Sequence, residues 1–184
     1  MARILPVSEE QQTHPIREAF EKHVREHKGR ITNMKATLAH SLKAFEVYMQ
    51  WYVLYEEVER ILGKRMASFF AYAVSHATDC PLCSTFFRKI IIDAGETPEK
   101  LELTETERQV ITFGASIGKC QGHIADHIFN PVASLYSKTD IVILVAFAGQ
   151  MIATNVFNNV IETDLDDYLL DYLPPVKSIW KHAQ

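Results

Sequence analysis

Two cysteines spaced C-x-x-C, Cys80 and Cys83, sit in the stretch Ser75-His76-Ala77-Thr78-Asp79-Cys80-Pro81-Leu82-Cys83-Ser84-Thr85-Phe86-Phe87-Arg88. The local signals place them at a helix start. Asp79 reads as the N-cap, Pro81 belongs in a first turn where its missing N–H costs nothing, and Gly95 reads as the residue that ends the helix. Residues three apart share a helix face, so the two sulfurs can approach to bonding distance. The free N–H groups and positive dipole at a helix start favour thiolate over thiol. A thiolate beside a second thiol is the minimum equipment for reversible redox chemistry. Two other readings stand beside it. A C-x-x-C is half of a zinc site, although no second ligand pair with finger spacing accompanies it. Free cysteines also serve as small apolar core residues.

Histidines are the other residues able to move a proton near those thiols. His76 lies four before Cys80. His123 and His127 are spaced i, i+4, with Cys120 and Asp126 nearby, on a helix expected to open at the capping box Thr104-Glu105-Thr106-Glu107. Any of the three histidines within reach of Cys83 is a candidate base. A metal held by His123, His127 and Cys120 is the minority reading, and most helical histidines are surface or satisfied core residues.

The elements that must position these groups read as helices throughout. Gly and Pro are sparse, seven each in 184 residues, and apolar residues recur at three and four. The expectation is one all-α domain, a compact multi-helix bundle: a loose leader over 1–13, N-terminal helices over 14–63, the cysteine-bearing core over 64–170 and a tail over 171–184. Ile16, Phe20 and Val24 form the stripe of the first helix. Asn33 reads as the cap of the next, which breaks near His40-Ser41 and ends at Gly63. Asn130-Pro131 interrupts or restarts a helix. Asp140 reads as the cap of the last, whose apolar start predicts burial all round.

Composition narrows the partners. Apolar residues make up 47% and charged residues 23%, as in ordinary soluble proteins, and a net charge of −4 argues against nucleic acid. No leader peptide is read, and the run Ile141 to Ala148 is too short to cross a membrane. Three cysteines do not make a secreted disulfide framework, so a cytoplasmic protein is expected. The basic N-terminal third and the acidic region 162–171 read as solvated faces, or as surfaces that meet between subunits.

Three stretches in order carry a resemblance: Arg30-Ile31-Thr32-Asn33-Met34-Lys35-Ala36-Thr37-Leu38-Ala39-His40-Ser41, then Cys80-Pro81-Leu82-Cys83, then Ile152-Ala153-Thr154-Asn155-Val156-Phe157-Asn158-Asn159-Val160. Over about residues 15–170 the chain resembles the carboxymuconolactone decarboxylase superfamily, in its alkylhydroperoxidase D-like, peroxidase-related branch. The resemblance implies that fold, no cofactor beyond the cysteines, and a homo-oligomer, trimer or hexamer before dimer. It implies reduction of hydroperoxides, or of disulfides, with a dithiol protein as reductant. Cys83 would attack and become a sulfenic acid, and Cys80 would resolve it to a disulfide. The family's ionisable relay positions are occupied here by Ser68, Leu82 and Phe87. The alternatives are a lactone or small-acid decarboxylase, which typically works without the cysteine pair, and a non-catalytic redox-sensing scaffold that has lost the relay.

Overall fold

The computed structural model describes residues 1–119 and 123–174. Among these the chain folds as eight α-helices with short 3-10 turns between them and no strand. They are α1 (His14–His27), α2 (Asn33–Leu38), α3 (Leu42–Met49), α4 (Trp51–Ala77), α5 (Pro81–Asp93), α6 (Glu105–Lys119), α7 (Asp126–Leu135) and α8 (Lys138–Ile161).

Helix α4 is the central post, packed by α5, α6 and α8. Its second half, Met66 to Ser75, is buried at every position, which explains why no amphipathic stripe marks it. Phe69, Phe70, Phe113 and Phe147 are fully buried here, and each such side chain contributes about 2–3 kcal/mol by leaving water. Contact between α4 and α6 requires two glycines. A Cβ on Gly114 would lie 2.7 Å from Phe70 Cδ2, and one on Gly118 would lie 2.9 Å from the Val74 carbonyl oxygen. Gly63, at φ 76° and ψ 154°, kinks α4 where the sequence reading ends one helix and starts another. A second apolar cluster joins α1, α2 and α3 through Ile16, Phe20, Leu38, Phe45 and Met49.

Several local expectations are corrected. The buried face of α1 is Ile16, Phe20 and His23, while Val24 is exposed. Thr32, not Asn33, caps α2, its hydroxyl accepting from the Lys35 N–H. Ser137, not Asp140, caps α8, and Asp140 returns the bond as third residue of a capping box. Pro131 lies inside α7 rather than breaking it. Helix α8 is not buried all round: Val142 is 67% exposed, because only one of its faces meets α4 and α6. By length and composition alone it is apolar enough to cross a membrane, yet Leu144, Phe147, Ala148 and Met151 on its other face are core.

The leader is docked rather than loose. The Arg3 N–H donates to the Ile161 carbonyl at 2.8 Å, the Val7 N–H to that of Ala36 at 3.2 Å, and Val7 is buried. Arg3 pairs with Glu162 at 2.7 Å, and the N-terminal ammonium lies 3.6 Å from Asp164. The Arg30 guanidinium sits 4.3 Å over the Tyr168 ring. The basic and acidic regions thus meet inside one subunit, which brings residues 162–169 against α2.

Candidate active site

The cysteine helix begins one residue later than the local signals suggest. Cys80 itself is the N-cap of α5, with φ −97° and ψ 100°, and its Sγ accepts the Cys83 N–H at 3.3 Å. Asp79 occupies a left-handed conformation at φ 49°, which turns the chain from α4 into α5. Pro81 is the first helical residue, as expected, and Gly95 at φ 87° follows the end of α5. A sulfur in the N-cap position takes the place of the usual capping oxygen, so the helix start solvates it directly.

Both cysteines are free thiols and both are buried, Cys80 1% and Cys83 5% exposed. Their environments differ. The Cys80 thiol is pulled down, chiefly by a hydrogen bond from the Cys83 thiol; burial opposes this, and the backbone N–H groups of Cys83 and Leu82 add to it. The Cys83 thiol is pushed up, first by that same bond to Cys80, then by burial and by the Cys80 charge. The Asn158 side-chain amide partly offsets this, donating to Cys83 Sγ at 3.2 Å. The negative charge of the pair therefore belongs on Cys80 and the proton on Cys83.

Only Cys83 of the pair opens on the adjacent cavity. That space, about 90 Å³, is bounded by α2, α3, α4, α5, α8 and the 166–169 segment. Its walls are apolar where Trp51, Phe86, Phe87 and Met151 meet, and polar where Lys35, Tyr52 and Asp166 meet. The indole N–H of Trp51 donates to Met151 Sδ at 2.7 Å, which fixes the ring across the cavity.

The positions read from the sequence as relay sites, Ser68, Leu82 and Phe87, hold no side chain that ionises near neutral pH. Ser68 is buried and its hydroxyl donates to the Lys64 carbonyl at 3.0 Å, 3.4 Å from the Tyr55 hydroxyl. Phe87 is a packing residue against Trp51, Tyr55 and Phe86. Leu82 lines the cavity.

Among the described residues, the groups that shift the two thiols are each other, two backbone N–H groups and Asn158. His76, in the last turn of α4, lies with its ring 5.9 Å from that of Tyr72, and burial lowers its pKa. His123 and His127 do not share a helix face: α6 ends at Lys119, His123 lies in the connection, and exposed His127 is the second residue of α7. Cys120 lies outside the described residues. Among the described residues no three His, Cys, Asp or Glu side chains gather as metal ligands.

Lys35, Tyr52, Asp166 and Asn158 were not singled out from sequence as site residues, although Lys35 and Asn158 fall inside two of the three resembling stretches. Those stretches are brought together physically. The Asn158 Nδ2 reaches Met34 Sδ at 3.3 Å as well as Cys83 Sγ.

No family profile matches the chain, and no curated protein matches it. Solved structures similar to the chain include two of one enzyme. A cysteine-to-alanine variant of the debrominase Bmp8 in complex with 2,3,4-tribromopyrrole has a TM-score of 0.75 at 13% identity, covering 92% of this chain and 94% of that one. The apo debrominase Bmp8 has a TM-score of 0.72 at 14% identity, covering 93% and 97%. At such identities the likeness speaks to architecture: the chain has the all-helical alkylhydroperoxidase D-like fold of these two structures.

Proposed function

We propose that the chain is a thiol-dependent reductase in which Cys80 and Cys83 deliver two electrons to a small molecule held in the apolar cavity. The observation that supports this best is the division between the sulfurs: Cys83 lines the cavity, while Cys80 caps the helix and has its thiol pulled down where that of Cys83 is pushed up. Cys80 thereby replaces the absent proton relay. With a hydroperoxide, Cys83 Sγ bonds the distal oxygen and passes its proton to the Cys80 thiolate. The O–O bond breaks, and the departing alkoxide takes that proton to leave as an alcohol. Cys83 is now a sulfenic acid and Cys80 a thiolate again. Cys80 attacks the Cys83 sulfur, hydroxide leaves to become water, and the disulfide forms. An external dithiol restores both thiols by exchange.

A second substrate, a halogenated aromatic ring, is favoured by the aromatic and thioether side chains of the cavity wall and is the class named for the similar debrominase. Here the Cys83 sulfur takes the halogen, the ring carbon keeps the bonding electron pair and takes the Cys83 proton, and Cys80 displaces halide to give the same disulfide. Carbon is reduced by two electrons and the dithiol is oxidised by two.

The test is turnover of cumene hydroperoxide, and separately of 2,3,4-tribromopyrrole, by reduced protein with dithiothreitol. Product from either one, lost in Cys83→Ser, is expected. No product from either substrate, with both thiols unchanged, overturns the reading in favour of a scaffold or of other chemistry.

A further inference from the structure

We propose that Lys35 and Asp166 make the cavity a receptor for a small, flat, apolar molecule carrying one O–H or N–H group, a phenol or an azole. This rests on the reading that the substrate of the thiol pair occupies the cavity.

Lys35 is only 5% exposed, on a helix of the cavity wall. An ammonium has three N–H donors. Two are used, on the Arg30 carbonyl oxygen and the Tyr52 hydroxyl oxygen, both at 2.8 Å. Among the described residues the third has no acceptor. Asp166, on the same wall, accepts the Asn33 N–H through Oδ1 at 2.8 Å, and its Oδ2 is buried with no hydrogen-bond partner. The two side chains act on one another through space but form no ion pair among the described contacts. One strong donor and one strong acceptor are thus left unsatisfied on a cavity otherwise walled by rings and thioethers.

Groups stranded in this way are costly, and the ligand that relieves both stabilises the site most. A hydroxyl oxygen accepts from Lys35 while its hydrogen goes to Asp166. An azole with one N–H and a ring acceptor does the same. A hydrocarbon satisfies neither group. A carboxylate satisfies Lys35 but sets a second negative charge against Asp166. Burial brings Lys35 down to about 8 and raises Asp166, so both groups exchange protons with such a ligand more readily than their exposed counterparts. The remaining walls, Trp51, Phe86 and Phe87, suit a flat ring.

Binding of p-cresol, p-xylene and 4-methylbenzoate, measured by calorimetry on the reduced protein, tests this. Cresol and xylene have nearly the same shape and differ by the hydroxyl. Cresol is expected to bind at least tenfold more tightly than either of the others, and Lys35→Met to lose that preference while binding xylene no worse. Equal or tighter binding of xylene, tightest binding of the benzoate, or a preference that survives Lys35→Met overturns the proposal. The comparison on the wild-type protein stands alone should that variant fail to fold. The Cys83→Ser protein is expected to keep the cresol preference. Inert thiols with the preference intact would sink only the reductase reading, and turnover without the preference would sink only this one.

Discussion

Asn158 on α8 holds its side-chain amide 3.2 Å from the Cys83 sulfur, buried at the start of α5. Among the described residues this is the one side-chain donor, beyond the pair itself, that favours charge on Cys83, against the bond to Cys80, burial and charge on Cys80, which oppose it. As Cys83 attacks, negative charge passes through its sulfur, and the amide is in place to receive it. Asn158→Ala is expected to slow oxidation of Cys83 by about 10–100-fold, the weight of one hydrogen bond to a charged group. Following loss of the Cys83 thiol by stopped-flow alkylation after peroxide checks this. An unchanged rate would remove Asn158 from the chemistry.

The buried Lys35 makes stability depend on pH in a defined window. Its pKa is lowered from 10.5 to about 8, mainly by burial, with Asp166 opposing. Between those values the unfolded chain binds a proton that the folded chain has released, so stability rises with pH from about 8 toward 10. The cost is fully present below 8 and amounts to about 3 kcal/mol, at 1.36 kcal/mol for each pKa step. Above 10 the trend reverses, since Tyr52, Tyr55 and Tyr168 are raised to about 12 and ionise first in the unfolded chain. Urea melts of the wild type and Lys35→Met at pH 7, 8, 9 and 10 should show the rise in the first and not in the second.

His23 gives the acid counterpart. It is buried on α1 with both ring nitrogens lacking a hydrogen-bond partner, and burial first, then Lys35 and His27, lowers its pKa to about 4. From pH 6.5 down to 4 the unfolded chain gains a proton that the folded one does not, and stability falls across that range. His23→Phe, facing Phe45 and Tyr52, should flatten this part of the curve by up to about 3 kcal/mol. Melting temperatures at pH 4.5 and 7 for the two proteins decide it.

The contact of α4 with α6 leaves no room for a side chain at two positions. Gly118→Ala sets a methyl 2.9 Å from the Val74 backbone oxygen, which cannot swing aside, so a loss of about 1–3 kcal/mol is expected. Gly149→Ala on α8, with nothing within 4 Å of the added atom, should be neutral or stabilising. Chemical denaturation of both variants measures the difference.

What was legible in the sequence was local. The cysteine pair, Pro81 in the first turn, Gly95 after the last turn and the Thr104–Glu107 box each depend on neighbours within a few residues. The capping errors have one cause: several polar residues adjoin each helix start, and tertiary packing selects among them. Cys80 displaces Asp79 because α4 must turn sharply into α5. The polar end of the cavity was illegible because Lys35 and Asp166 are 131 residues apart and meet only once the acidic segment folds back on α2. The charge asymmetry of the two regions was the available signal. By composition it points to solvent or to a second subunit, whereas the Met1–Asp164 and Arg3–Glu162 contacts lie within the chain. The i, i+4 spacing of His123 and His127 does not place them on one helix, since His123 precedes the start of α7 at Asp126 and His127 lies within it.

The most direct measurement is a thiol count on reduced protein given one equivalent of cumene hydroperoxide, with peptide mapping of any bond formed. Rapid loss of two thiols as a Cys80–Cys83 disulfide, reversed by dithiothreitol and absent in Cys83→Ser, is the predicted result. Thiols that survive the peroxide, or a bond that joins Cys120 instead, would contradict a cysteine pair poised for two-electron reduction.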